Sequence, residues 1–580
     1  VTEAADIIEE ALCIEIPASA ALVLDDTRRL TGPGLLWDRP GAVLDVLTDQ
    51  IDPQRIIALW RLQARRVLDA IGWQDEALIE RAFDGGVSLA VSAPMDQLYS
   101  ATFAAQTAWH FCACEILGSA PGDFATMIDD LRAVMRREAN PALLTLIAAA
   151  RERDLEALVD DDVISVGHGV GSRSWPVLDL PDVAAIDWSN LSDLPVALIT
   201  GTNGKTTTTR LSCAIARAAG QTAGLTSTDM VSVGDTILDR GDYSGPGGAR
   251  LLLRDQRVEI AYLEVARGGI LRRGLPVRQA RAALVTNIAA DHLGQYGVNT
   301  VEDLALTKLA VHQCLAPDGV LILNADDRYL GAPSEAIDAE KWWFAESADQ
   351  ARIRAARAAG QPCAWLADNV LTVFDGEVET PVIHARDIPI TMSGAATYNT
   401  MNALGAACLA IAMGLDFDAI RDGLRNFYND PNDNPGRCNE FDVAGARVFV
   451  DFAHNPHSIE AVTSAMAGIS AKRRYILLSH AGDRSDQDIR DVTASALCMK
   501  PDIVVATELP EVLRGRSEGE VSSVIIETCG AHGLESGQIL QAASPLEATQ
   551  QILSRLNPGD LALLLVLSER DQIFELLNAS

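Results

Sequence analysis

At 580 residues the chain is too long for a single hydrophobic core, and three or four domains are expected. Its 47 basic and 80 acidic residues leave a formal charge of −33, which argues against non-specific binding to nucleic acid or anionic membranes and is compatible with a basic amino-acid or peptide partner. The ten cysteines are scattered, and the one close pair, Cys112-Ala-Cys114, lacks zinc or redox spacing, so buried reduced thiols are expected. No basic region precedes the apolar residues in Val1-Thr-Glu-Ala-Ala-Asp6, and no run of about 20 apolar residues follows. A soluble, cytoplasmic protein without a membrane partner is expected.

Residues 1–160 read as an N-terminal domain. Arg55 to Ile71 carries Ile56, Leu59, Trp60, Leu62, Val67 and Leu68 at helical spacing. A strand follows over Gly85–Ala93, closing at Pro94, and then a helix over Gln97–Leu117, in which Trp109, His110 and Phe111 read as core rather than site. Residues 161–190 turn to Asp, Gly, Ser and Pro and read as a linker. Within them Val166-Gly-His168-Gly-Val-Gly171-Ser-Arg173 could bind an anion through backbone N–H groups, but without a following helix a linker or surface loop is the better reading.

From residue 191 to 430 the pattern becomes strand, loop, helix, repeatedly, as in a parallel sheet with covering helices. Strands are predicted at Val196–Thr200, Val258–Val265, Ala282–Asn287 and Gly319–Leu323. The first feeds Gly201-Thr202-Asn203-Gly204-Lys205-Thr206-Thr207, where backbone N–H groups, a helix N-terminus and a lysine converge as a phosphate site requires, and Thr206 offers a hydroxyl to Mg²⁺. A bare Gly-rich turn is the alternative, and it leaves the Lys-Thr pair without a purpose. A Pro/Asn/Asp stretch, Tyr428 to Gly436, reads as a hinge into a smaller α/β domain, residues 431–580, with strands near Val448–Asp451, Tyr475–Ser479, Ile503–Thr507 and Leu561–Leu567.

The loop Thr200-Gly-Thr-Asn-Gly-Lys-Thr-Thr-Thr208 departs from the common GxxxxGK[ST] spacing and resembles that of the Mur ligase family, ATP-dependent amide-bond ligases. The resemblance implies a central parallel-sheet ATPase domain, a C-terminal Rossmann-like α/β domain and, here, an extra N-terminal α+β domain. It implies ATP and Mg²⁺ as cofactors. Glu264 and His292 stand where the family's Mg²⁺ ligands stand, with Thr206 from the loop. Lys308 matches a lysine that many members carry as a carbamate, an adduct that requires a neutral amine; a plain solvent-facing lysine is the alternative. Leu323-Asn324-Ala-Asp326-Asp327 matches an NADD motif. The amides of Asn399 and Asn402 match a pair that contacts adenine, Arg437 an arginine that reaches the phosphates, and Asp451, in Asp451-Phe-Ala-His454-Asn455-Pro456, a ribose contact.

Further segments resemble the Mur-like module of cyanophycin synthetases: Gly241-Asp-Tyr-Ser-Gly-Pro246, Glu264-Val-Ala-Arg267-Gly-Gly269 and Arg514-Gly-Arg516-Ser-Glu-Gly519. That resemblance spans roughly Leu191 to Glu569 and implies a substrate side built from Arg267, His454, Asn455, Asp483, Arg484, Arg514 and Arg516. Asp84-Gly-Gly86 and Asp160-Asp-Asp162 extend it weakly toward the N-terminus. Only about thirty residues separate Gly169 from the phosphate loop, too few for the ATP-grasp module of those synthetases. The expected activity is therefore a one-site ligase working through an acyl phosphate, joining β-aspartyl-arginine-type units. Ligation of an amino acid to another small carboxylate or peptide, a silent ATP-binding regulator, and a folylpolyglutamate-synthetase-like activity are the alternatives. Small amino-acid or dipeptide substrates, a peptide polymer and a homo-oligomer are the partners this reading implies.

Overall fold

The computed structural model describes residues 8–579. The stretch Val1–Asp6, read above for a targeting signal, lies outside them. Four sheets organise the chain. The first is antiparallel, with strands β1 (Leu22–Leu30), β2 (Gly41–Thr48), β3 (Leu78–Phe83) and β4 (Gly86–Ser92) in the order β1-β2-β4-β3. Helix α1 (Pro53–Ile71) starts where Asp52 accepts the Gln54 N–H and Pro53 sets the first φ, and it stops at Gly72, whose φ is 90°. Its buried residues Ile56, Trp60, Ala64, Val67, Leu68 and Ile71 form one stripe against the sheet and the neighbouring helix α2 (Leu98–Leu117). Trp109, His110 and Phe111 on α2 are buried, and His110 is satisfied, with Nδ1 2.7 Å from the Glu15 carbonyl and Nε2 accepting the Gly122 N–H at 2.9 Å. They belong to the core.

The stretch expected as a linker is folded. Strands β5 (Ala157–Val159), β6 (Val163–Val166) and β7 (Arg173–Pro176) make a small antiparallel sheet. Ile164, Val166 and Trp175 pack with Leu143, Leu146 and Ile147 of the preceding helix, so a few apolar residues among many polar ones suffice to order it.

The main sheet has eleven strands in the order β11-β10-β9-β12-β8-β13-β14-β15-β16-β17-β18. They are β8 (Val196–Thr200), β9 (Ala223–Thr226), β10 (Met230–Val233), β11 (Thr236–Arg240), β12 (Ile260–Glu264), β13 (Ala280–Val285), β14 (Leu315–Asn324), β15 (Glu340–Ala345), β16 (Cys363–Ala367), β17 (Val370–Phe374) and β18 (Glu379–His384). From β9 through β16 neighbours are parallel, and both margins are antiparallel. β8 is buried at all five positions: Ala197 and Ile199 face one core, which includes Leu211 of helix α3 (Lys205–Ala218) and Leu404 of helix α4 (Thr397–Ala412), while Val196 and Leu198 face the other. That two-sided burial explains its unbroken apolar run. The C-terminal ends of β8, β12 and β13 therefore lie side by side, where open α/β sheets bind ligands.

The last sheet runs β19-β20-β24-β21-β22-β23, from β19 (Asn439–Val443), β20 (Ala446–Asp451), β21 (Arg474–Leu478), β22 (Ile503–Thr507), β23 (Ile539–Ala542) and β24 (Leu561–Leu565), parallel except for the β19–β20 hairpin. Helix α5 (Pro456–Ala467) follows β20. The ten cysteines are free thiols, all buried except Cys13 and Cys498. Among the described residues no helix is long and apolar enough to cross a membrane.

Candidate active site

The loop between β8 and α3 is held in one shape by its glycines and by the end of β13. Gly201 has φ 139° and Gly204 φ 84°; a Cβ on the first would fall 1.9 Å from Thr286 Oγ1, and on the second 2.2 Å from Asn402 Oδ1. Thr202 N–H donates to the Asn287 carbonyl at 2.8 Å, Asn203 N–H to Asn287 Oδ1 at 3.0 Å, and Thr286 Oγ1 to the Asn203 carbonyl at 2.6 Å. Gly204 caps α3 without a side chain, which leaves the first N–H groups of a fourteen-residue helix open to an anion. Lys205 Nζ curls back to the Thr202 carbonyl at 2.9 Å.

Glu264, at the end of β12, is 1% exposed. Its Oε2 accepts from Thr206 Oγ1 at 2.9 Å, while Oε1 is buried with no hydrogen-bond partner. Burial raises its pKa, with Lys205 and the Thr206 hydroxyl opposing. A buried carboxylate oxygen left without a partner beside a hydroxyl and an ammonium fits a divalent cation bound with a phosphate, the chemistry expected of this loop. Arg437 approaches from the hinge side, its Nη2 3.4 Å from Thr206 Oγ1.

Lys308 lies on helix Val301–Leu309, is 3% exposed and donates to the Gly201 carbonyl at 2.7 Å. Burial, with the charge of Lys205, holds its pKa well below the ordinary lysine value. The solvent-facing alternative is thereby overturned, because the helix face carrying Lys308 packs beneath the loop.

Thr206 and Glu264 are in contact, whereas His292 (φ 49°) groups with Asp291 and His454, whose candidate ligand atoms all lie within 4.8 Å of one another. Arg484 Nη2 donates to Asp291 Oδ1 at 3.3 Å and to His292 Nε2 at 3.1 Å, which links this segment to the C-terminal unit. Burial pushes His292 down to about 4, with Asp291 opposing, so the ring is neutral at ordinary pH.

A cleft of about 430 Å³ runs from the phosphate loop between the two α/β units. Asn399 and Asn402 line it and bind one another, Asn402 Nδ2 to Asn399 Oδ1 at 3.1 Å. Asp451, at the end of β20, is buried on its other side; burial pushes its carboxyl up to about 6, with Arg437 opposing. Asn455 caps α5 and pairs with Asn203 of the loop. Arg267 bonds Gln295 Oε1 at 2.7 Å. Asp483 and Arg514 form an ion pair, and Arg516 is spent on the same loop, bonding the carbonyls of Gly482 at 2.9 Å and Arg484 at 2.6 Å and Asp486 Oδ1 at 2.8 Å. Arg516 thus shapes the loop that presents Arg484.

Residues 199–410 match the Mur ligase middle domain, and residues 436–565 match the Mur ligase glutamate ligase domain. The chain belongs to the Mur ligase family. Over 332 residues this Mur ligase family member is 37% identical to cyanophycin synthetase of Trichormus variabilis, a match covering 57% of the chain and 37% of that relative. The chain thus spans little more than a third of the length of the synthetase. It is 28% identical over 365 residues to UDP-N-acetylmuramoyl-L-alanyl-D-glutamate–2,6-diaminopimelate ligase of Geobacter sulfurreducens, covering 60% of the chain and 67% of that relative. The structure of E. coli FolC in complex with DHPP and ADP shares the fold, with a TM-score of 0.50, 20% identity, and coverage of 66% of this chain and 89% of that one.

Several residues of this Mur ligase site carry no local sequence signal. Asp229 collects Arg210, Arg437 and Arg570 from three separate segments. Asn434 is fully buried and donates to Thr207 Oγ1 at 3.3 Å. His457 meets Asn203 Nδ2 at 2.9 Å. Asn434 sits in the Pro/Asn/Asp stretch read as a hinge, where an asparagine among turn residues looks like turn chemistry. Asn287 closes a strand predicted from the sequence and Asp291 directly precedes His292, so both could have been read from their positions.

Proposed function

We propose that the chain is an ATP-dependent ligase that activates a substrate carboxylate as an acyl phosphate and joins it to an amine. The observation that carries this reading is Glu264 Oε1, a buried carboxylate oxygen without a partner, set against Thr206 and Lys205 at the mouth of an anion-binding helix. Mg²⁺-ATP supplies the phosphoryl group. The backbone N–H groups of Gly201–Thr207 bind phosphate, Lys205 and Arg437 offset its charge, and Thr206 and Glu264 hold the cation. His292 would hold a cation together with Asp291 and His454. Asn399 and Asn402 take the base, and Asp451 the ribose. Arg267, His454, Asn455, Asp483 and Arg484 face the substrate, with Arg514 fixing Asp483. The Asn203–Asn455 contact closes the cleft against water, which protects an acyl phosphate from hydrolysis.

The substrate pair that best fits is β-aspartyl-arginine joined to itself or to a growing peptide. Support comes from the similarity to cyanophycin synthetase over the Mur-type portion and from the short path between Gly169 and Gly201, which leaves no room for a second ATP-using module. Phosphate release from Mg²⁺-ATP with mass spectrometry of the products tests this. β-Aspartyl-arginine is expected to stimulate release and to yield oligomers differing by one dipeptide less water. Stimulation by another acid–amine pair alone would move the substrate and keep the chemistry. No release with any pair, or release indifferent to Lys205→Ala, would sink the ligase reading.

A further inference from the structure

One carboxylate at the edge of the nucleotide cleft serves three arginines. Asp229 Oδ2 lies 3.3 Å from Arg210 Nη2 on α3 and 4.0 Å from Arg437 Nη2 on the hinge side; Asp229 Oδ1 lies 3.2 Å from Arg570 Nη1, at the start of the C-terminal helix. The side chains of Asp229 and Arg210 are 14% and 4% exposed. Burial pushes the Asp229 carboxyl up, and Arg437, Arg210 and Arg570 more than offset it. The set is short of acceptors: Arg210 Nε and Arg570 Nε are both buried without a hydrogen-bond partner. In a chain with 80 acidic residues, three guanidiniums converge on one carboxylate beside the phosphate loop, and Arg570 has a second in reach, Asp571 Oδ1 at 3.9 Å from its Nε.

The three contacts are unequal. Arg437 has the longest, and the same Nη2 is 3.4 Å from Thr206 Oγ1, so it stands between the carboxylate and the loop. Arg210 is fixed twice, to Asp229 and to the Asp433 carbonyl at 3.2 Å. Arg570 comes from the far side of the cleft, following β24, and it engages the oxygen that Arg437 does not use. We infer that Arg570 is a positioning residue that acts through Asp229 on Arg437: by neutralising Oδ1 and holding the carboxylate turned, it weakens the pull of Asp229 on Arg437 and releases that guanidinium to a phosphate at the loop. The Asp229–Arg570 pair also ties the six-stranded sheet to the eleven-stranded one across the cleft. This rests on the proposed phosphate role of Arg437.

The test is a double-mutant cycle read by calorimetric binding of a non-hydrolysable ATP analogue to the full chain, which separates coupling from simple loss of charge. Arg570→Ala is expected to weaken binding about tenfold in the wild-type background and less than about twofold in the Asp229→Asn background, because the competitor for Arg437 is then gone. Equal losses in both backgrounds, or no loss in either, would overturn the inference. Arg437→Ala separates the two readings. If it leaves affinity unchanged, the phosphate role of Arg437 falls and this inference with it; if it weakens binding while Arg570→Ala does not, this inference alone falls. Should Asp229→Asn fail to fold, Arg570→Lys and Arg570→Gln decide. Lysine keeps the charge and is expected to recover more than half of the lost affinity on a logarithmic scale, and glutamine none; equal affinities for the two would overturn the coupling.

Discussion

Asn203 and Asn455 exchange side-chain hydrogen bonds, Asn455 Nδ2 to Asn203 Oδ1 at 2.9 Å and Asn203 Nδ2 to Asn455 Oδ1 at 3.3 Å. One belongs to the phosphate loop and the other caps α5 of the C-terminal unit, so this amide pair is one of the contacts that join the two walls of the cleft. Asn455 Oδ1 also accepts the Ser458 N–H at 2.9 Å, which makes it a helix cap as well. Asn203→Ala removes the pairing and leaves the cap. It is expected to lower the rate of amide formation about tenfold and to raise the fraction of ATP lost to water, with little change in thermal stability. Asn455→Ala is expected to add a stability loss of about 1 kcal/mol from the cap. Comparing phosphate release with product formed checks both; an unchanged ratio in Asn203→Ala would remove the pair from the closing mechanism.

Gly204 is constrained twice over: its φ is 84°, and a Cβ there would fall 2.2 Å from Asn402 Oδ1. Gly204→Ala strains the backbone and displaces the amide that binds Asn399. Nucleotide affinity is expected to fall by about two orders of magnitude, an energy of about 3 kcal/mol. Titration calorimetry with ADP checks this, and an affinity within about threefold of the original would show that the loop does not need its present shape.

Lys308 is buried, bonds the Gly201 carbonyl and sits beside a second lysine charge, so the folded chain holds its proton less tightly than the unfolded chain does. The unfolded chain binds this proton up to about pH 10.4 and the folded chain does not, so stability rises with pH across the window between the depressed value and about 10.4. Lys308→Met is expected to flatten that rise, and Lys308→Arg, which cannot shed its charge, to cost about 3 kcal/mol or more. Thermal unfolding across pH tests the titration. Spectra with ¹³C-labelled bicarbonate test whether the neutral amine carries a carbamate: a signal present in the parent chain and absent in Lys308→Met is expected, and its absence from both would leave Lys308 as a support for Gly201.

The sequence showed the parts whose signals are local. β8 was legible to the residue, because a fully buried parallel strand must be apolar at every position and the glycine after it ends the run. β22, Ile503–Thr507, was equally plain. The antiparallel margins, β10–β11 and β16–β18, were not picked out. β11 is mostly exposed, so its residues Thr236–Arg240 carry no core-facing run, and β16–β18 are recognised by their pairing. In the site, Thr206 and Glu264 meet as expected from the motifs. The grouping of His292 with His454 and Arg484, and of Asp229 with Arg570, joins segments separated by more than 150 positions. No periodicity reports such contacts; only the placement of the second α/β unit against the first creates them.

Glu156 offers a prediction away from the cleft. It is 7% exposed and lies between the small three-stranded sheet and the main one, with Oε2 accepting the Arg278 N–H at 2.8 Å and its own N–H donating to Asp193 Oδ2 at 2.9 Å. Burial pushes its carboxyl up to about 7, the Arg278 N–H opposing and the charge of Asp193 adding. An unfolded glutamate loses its proton near pH 4.3, so between about 4.3 and 7 the folded chain holds a proton that the unfolded chain has lost. The contribution of this residue to stability therefore falls as pH rises through that window, and at pH 8 the chain carries a buried anion at a cost of about 3–4 kcal/mol. Glu156→Gln keeps a carbonyl for the Arg278 N–H and removes the titration. The variant is expected to unfold at the same temperature as the parent chain at pH 4.5 and at a higher one at pH 8, measured by calorimetry on the full chain. A variant less stable than the parent at pH 8 would mean that the ionised carboxylate is paired in solution and that the junction between the two sheets depends on its charge.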